Sequence, residues 1–201
     1  MESALGGLSW MLEDLEAGYY QQHRWHFQWQ QLPRWYRWSS KKQHWHKPPK
    51  GWYKFNIDGA FNGNNCQGGI GGVARNNTES WILGFHMKVP TISATQVELQ
   101  ALRGCLQIIM QHNLMPVKIE TDASEIIHML DNDHPTYTKL IYECRWLMKQ
   151  TKRKGQVVLR HSFRHGNEVA HDLAKMALMQ PNINKMSLLA TPPEPAIQQY
   201  Q

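Results

Sequence analysis

The chain reads as an α/β domain on a mixed sheet, with elements in the order βββαβααβα. Three observations lead there. The first three apolar runs of strand length are joined by connections too short for a crossover, which makes them an antiparallel meander. After them helical and strand periodicities alternate, which sets the later strands parallel to the first through right-handed crossovers. Two of the runs lead into an aspartate, Asp58 and Asp122, so the parallel strands share one polar end.

Strand 1, about residues 52–59, is Trp52-Tyr53-Lys54-Phe55-Asn56-Ile57-Asp58-Gly59, with apolar and polar positions alternating at period two. The Gly/Asn loop from Asn62 to Gly69 ends it. Strand 2 covers about 70–76, the turn Asn76-Asn77-Thr78-Glu79 follows, and strand 3 covers about 80–89. From Ser93 to His112 apolar residues recur at helical spacing, with Ser93 as the start signal and Asn113 as the stop. A strand at Val117–Thr121 comes next, then a helix from about Ala123 to Leu130 that Asp131 to Pro135 breaks. A helix over about Tyr137–Thr151, the basic turn Lys152-Arg153-Lys154-Gly155, a strand over about Gln156–His161 and a last helix over Asn167–Met179 complete the order.

At 201 residues there is room for one well-buried domain with tails. The tails differ in kind. Residues 17–57 hold no Asp or Glu but carry Arg24, Arg34, Arg37, Lys41 and Lys42 among Trp25, Trp29, Trp35, Trp38 and Trp45. Residues 1–47 are therefore a basic, Trp-rich segment, either a poorly ordered leader or one that stacks on bases while its cations track phosphates. Pro48 and Pro49 open the domain at residues 48–180, and the Thr191-Pro192-Pro193-Glu194-Pro195 stretch gives 181–201 the composition of a flexible tail.

Composition narrows the function classes. Lys and Arg total 22 against 16 acids, with a sequence pI near 9.3, which favours a polyanionic partner. Cys66, Cys105 and Cys144 are odd in number, widely spaced and free of any C-x-x-C pair, which speaks against a disulfide framework or a zinc knuckle. No stretch has the roughly 18 apolar residues of a membrane span, and the first residues lack the basic and apolar blocks of a secretory signal. The expectation is an intracellular protein, nuclear or cytoplasmic and not secreted, acting as a monomer with no obligate protein partner.

Three acids carry the chemistry. Lys54, Asn56 and Asp58 share one face of strand 1, and Lys118, Glu120 and Asp122 share one face of strand 4, so aligned parallel strands bring both aspartates to one side. Glu98 shares a stripe with Leu102, Cys105, Leu106 and Ile109, the helix face that packs on the sheet. Carboxylates gathered at one point raise each other's pKa unless cations neutralise them. Oxygen-only ligands suit Mg²⁺, or Mn²⁺ in its place, and point to phosphodiester chemistry.

Asp58-Gly59-Ala60, the loop from Gly63-Asn64 to Gly68-Gly69, Val97-Glu98-Leu99-Gln100-Ala101-Leu102, Thr121-Asp122-Ala123, and His161 followed by Gly166-Asn167-Glu168-Val169-Ala170 resemble the type 1 ribonuclease H domain. The likeness spans about residues 50–180. The lead-in from Trp45 through Pro48-Pro49 to Asp58-Gly59-Ala60 is similar to its plant reverse-transcriptase-like branch, whose members often descend from non-LTR retroelements. The resemblance implies a five-stranded sheet in the order 3-2-1-4-5 and endonucleolytic cutting of the RNA strand of RNA–DNA hybrids. It also implies two Mg²⁺ ions about 4 Å apart, held by Asp58, Glu98 and Asp122. Gly59, Asn64, Thr95 and Asn167 become the substrate-binding candidates, reading the 2′-hydroxyl of the RNA. His161 matches the mobile-loop histidine that assists proton transfer or product release.

The chain departs from the pattern in two places. Ala94 and Thr95 stand where polar amides commonly precede the helix glutamate, which implies weaker or rearranged hybrid binding. The fourth acid position falls on His171, with Asp172 one residue late. At ~100° per residue, His171 lies about 100° from the core face of its helix and Asp172 about 200° from it. The two readings of His171 are a member of the catalytic group and a partly exposed helix residue with no duty. Reduced cleavage, improved by Mn²⁺, is the expectation. The alternative is a nucleic-acid-binding module of retroelement origin with weakened chemistry.

Overall fold

The computed structural model describes residues 46–132 and 134–193. Most of the Trp-rich segment at 1–47 lies outside them, as does the end of the C-terminal tail. Among the described residues there are six strands and four α-helices: β1 Tyr53–Asn62, β2 Gln67–Arg75, β3 Trp81–Pro90, α1 Ala94–His112, β4 Val117–Thr121, α2 Ser124–Asp131, α3 Thr138–Lys154, β5 Val157–His161, α4 Glu168–Leu178 and β6 Ser187–Leu189. One 3-10 turn, Arg164–Gly166, precedes α4. The expected elements are all present, with ends within three residues of the bounds read from sequence.

The sheet order is β5-β4-β1-β2-β3-β6. β1 to β3 form the antiparallel meander, β4 joins β1 in parallel and β5 joins β4 in parallel. The 3-2-1-4-5 order thus holds within a longer sheet. The five-strand expectation needs correction, because Ser187–Leu189 pairs antiparallel with β3 and Trp81 Nε1 donates to Leu189 O at 3.0 Å. This strand lies within the segment read as a tail. Three residues are too short to show alternation above a Pro-rich background, so composition hid it.

Helices cover both faces. α1 and α3 pack on one, over a core of Phe55, Ile57, Ile70, Phe85, Leu99, Leu102, Leu106, Ile109, Ile119 and Ile141. The helix α1 starts where Ser93 accepts from the Gln96 N–H at 3.1 Å and stops at Asn113, whose φ of 51° is left-handed. α4 packs on the other face over Val73, Val169 and Leu173. It sits close to the sheet because β2 offers glycines there. A Cβ at Gly69 would stand 2.0 Å from Ala174 O, and one at Gly71 would stand 2.3 Å from Ala174 N.

Candidate metal centre

Asp58 does not end its strand, as the sequence suggested. β1 runs on to Asn62 against β2, while its pairing with β4 stops at Asn56 opposite Glu120. β4 itself ends at Thr121, and the Thr121 hydroxyl accepts from the Ala123 N–H at 3.1 Å, turning the chain so that Asp122 leads off the strand end. The cleft therefore opens where β1 outruns its parallel neighbour. That is the strand-end crevice in which open α/β sheets hold ligands.

Glu98 reaches the same point from α1. Gly59 makes the approach possible, since a Cβ there would lie 2.8–2.9 Å from Val97 and the Glu98 backbone nitrogen. The Gly59 backbone beside the Glu98 carboxyl works against the upward shift that burial imposes on it. Ligand oxygens of Asp58, Glu98 and Asp122 then all lie within 4.8 Å of one another. Asp58 is 2% exposed. Burial, then the nearby Asp122, pushes its carboxyl well above the usual range. Burial, then Asp58 and Asp122, pushes Glu98 up to about 9. One Glu98 oxygen, Oε2, is buried without a hydrogen-bond partner. A divalent cation fits these donors: it would satisfy that oxygen and relieve the repulsion.

His171 is part of the group. Its Nδ1 lies 2.7 Å from Asp58 Oδ2, and its Nε2 lies 3.1 Å from an Arg164 guanidinium nitrogen. Arginine only donates, so Nε2 accepts and Nδ1 carries the proton given to Asp58. Burial, then the positive charges of Lys175 and Arg164, lowers the His171 pKa and keeps the ring neutral. Both ring nitrogens are thus engaged, and the imidazole acts as a donor that orients Asp58.

Asn167, expected to meet substrate, is 1% exposed. Its Nδ2 donates to Ile57 O at 2.8 Å and lies 3.4 Å from Asp58 Oδ1 and 3.5 Å from Asp122 Oδ1. The correction is physical: a side chain buried between two acids and a strand carbonyl positions them and does not face solvent. Asn64 is exposed in the β1–β2 turn, its N–H on Asn62 Oδ1 at 3.1 Å. Thr95 donates to Glu125 at 2.8 Å, tying α1 to α2. His161 is exposed at the end of β5, in register with Thr121, and its ring meets Phe163 edge-on at 5.6 Å.

A support beneath the site went unread in the sequence. Lys54 and Lys118 hold Glu120 at 2.6 and 2.7 Å, and Asn56 Nδ2 reaches Glu120 at 3.4 Å and Gly166 O at 3.3 Å. Burial alone would raise Glu120, but the two lysines bring it below its ordinary value. The signal was present as the alternation Lys54/Asn56/Asp58 beside Lys118/Glu120/Asp122; only the diagonal register of β1 and β4 turns it into a network. Arg164 had no signal, because its role depends on the turn that returns it over α4.

No helix among the described residues is long and apolar enough to cross a membrane. A family described as reverse transcriptase-like matches residues 56–177. An Arabidopsis thaliana protein provisionally named a ribonuclease H protein is 31% identical over 137 residues, covering 66% of this chain, and the match spans only 22% of that relative's length. The RNase H1 of the archaeon Halobacterium salinarum superposes with a TM-score of 0.56 at 20% identity, over 64% of this chain and 98% of that one. LC11-RNase H1, isolated from compost and solved with an RNA/DNA hybrid, gives 0.53 at 19% identity, over 62% and 95%. Fold and family agree: the chain belongs to the reverse transcriptase-like family, as a ribonuclease H-type domain of its plant branch.

Proposed function

We propose that the chain is a divalent-metal-dependent endonuclease that cuts the RNA strand of RNA–DNA hybrids. The observation that carries this reading is the convergence of Asp58, Glu98 and Asp122 within 4.8 Å around an unpartnered Glu98 oxygen. Mg²⁺, or Mn²⁺ in its place, supplies charge neutralisation, an activated water and stabilisation of the leaving 3′ oxygen when bound there. Asp58, Glu98 and Asp122 hold the cation; Asn167 and His171 fix the Asp58 carboxylate. His161, exposed beside the strand end that leads to Asp122, serves proton transfer at the mouth. Gly59, Asn64 and Thr95 border the approach of the RNA strand, in a chain taken to act as a monomer in the nucleus or cytoplasm.

One observation favours a second reading, a nucleic-acid-binding module with weakened chemistry. His171 brings a neutral donor to Asp58 and Arg164 behind it brings a positive charge, where a fourth acid would add negative charge. Both readings meet in one assay on a labelled RNA–DNA hybrid. The nuclease reading expects slow cutting in Mg²⁺, faster in Mn²⁺, abolished by Asp58→Asn and raised about tenfold or more by His171→Asp, which corresponds to ~1.4 kcal/mol of barrier. Cutting that survives Asp58→Asn would sink it. Tight hybrid binding with no cleavage in Mn²⁺, in both the wild type and His171→Asp, would establish the module instead.

A further inference from the structure

From Cys144 to Asn167 the chain contains no Asp or Glu, but it contains Arg145, Lys149, Lys152, Arg153, Lys154, Arg160 and Arg164. On α3 this cationic run meets two exposed aromatics. Tyr142 is 57% exposed and Trp146 is 51% exposed. Tyr142, Trp146, Lys149 and Arg153 follow one another at spacings of four, three and four residues, so they form a single helical stripe of about 16 Å. The opposite face of the same helix is spent on the core through Ile141, Cys144, Leu147 and Met148.

The stripe is prearranged. Arg145 donates to Leu130 O at 2.9 Å and to Met129 O at 3.3 Å, and its guanidinium lies 5.7 Å from the centre of the Tyr142 ring. That fixes the ring from one side and leaves the rest to solvent. Glu143, on the same helix, is held by Arg103 on α1 at 2.9 Å. Among the described residues no acid pairs with Lys149 or Arg153. Rings that stack and cations that meet phosphates, on one line, match an unpaired strand: bases within a duplex are already stacked on each other.

We propose that the Tyr142–Trp146–Lys149–Arg153 face of α3 binds single-stranded nucleic acid, as a contact separate from the acid cluster. This deepens the nucleic-acid reading above and rests on it for the identity of the partner. α3 leads directly into β5, so it runs from the C-terminal ends of the parallel strands, where Asp122 leads off β4, towards their N-terminal ends, and the stripe would hold an unpaired extension leading away from a bound hybrid.

The test uses the full chain and fluorescence anisotropy with three probes: a labelled oligothymidylate, a blunt hybrid and the same hybrid with a single-stranded extension. The variants are Tyr142→Ala/Trp146→Ala and Lys149→Ala/Arg153→Ala, all at exposed positions that leave the core intact. The aromatic pair should weaken the oligothymidylate and extended-hybrid complexes at least about fivefold and leave the blunt hybrid unchanged. The cation pair should flatten the slope of log affinity against log salt by about 0.7 per charge removed. Equal oligothymidylate affinity in wild type and the aromatic variant overturns the proposal. So does a changed gel-filtration volume with unchanged affinity, which would make the face a contact between copies of the chain. A wild type that binds oligothymidylate through the stripe but cuts no hybrid would uphold the stripe and refute the nuclease; the two ideas fail separately.

Discussion

Glu98 shows what a single side chain costs when it is placed for a cation. Its carboxyl is pushed up to about 9 from an ordinary 4.5, by burial first and then by Asp58 and Asp122. A folded state that holds this proton more tightly than the unfolded chain has its full stability below about pH 4.5 and loses it as pH rises towards 9. Without divalent metal, thermal midpoints should therefore fall across that window. Glu98→Gln removes the charge that burial opposes, and its midpoint near pH 8 should exceed the wild-type value by at least about 2–4 °C, the shift that ~1 kcal/mol gives in a chain of this size. Added Mg²⁺ should raise the wild type and leave Glu98→Gln nearly unmoved. Calorimetry in chelator showing the same pH slope for both proteins would refute this account. Sequence reasoning found Glu98 because one acid stood on an otherwise apolar stripe. It assigned Asn167 the wrong task because burial of a polar side chain is set by what folds over it.

Glycines in β2 decide how α4 meets the sheet. Gly68 and Gly69 read as loop residues, yet they belong to a strand that starts at Gln67; the missing side chain at Gly69 leaves room for α4, and the one at Gly68 leaves room for Val97 of α1 on the other face. Gly71 is in register with Asp58, directly under the helix that carries His171. Gly71→Ala should therefore push α4 outward, destabilise the fold by about 1–3 kcal/mol and loosen the hold of His171 on Asp58. Denaturant titration measures the first effect and the metal-binding isotherm the second. Wild-type stability together with wild-type metal affinity would mean that α4 is free to shift at no cost.

At the scale of the whole molecule, β6 closes the meander edge. It gives β3 a partner, and Ser187 with Gln180 ties the end of the sheet to the segment after α4 through Gln180 Nε2 at 3.2 Å. Truncation after Met186 should expose the β3 edge, lower stability by ~1–3 kcal/mol through lost pairing and the orphaned Trp81 N–H, and promote association through that edge. Chemical denaturation with light scattering tests it; an unchanged midpoint and a monodisperse sample would show β6 to be dispensable.

Element order, strand directions and the three acids were legible from the chain itself, because periodicity records which face of an element is buried and a carboxylate on such a face stands out. Tertiary structure alone decided the rest. The continuation of β1 beyond the end of β4 opened the cleft, the diagonal β1–β4 register paired Lys54 with Glu120, and the packing of α4 and the turn before it brought His171 onto Asp58 and Arg164 onto His171. Those contacts join residues up to 113 positions apart. No local pattern encodes them, since they exist only after distant elements have packed.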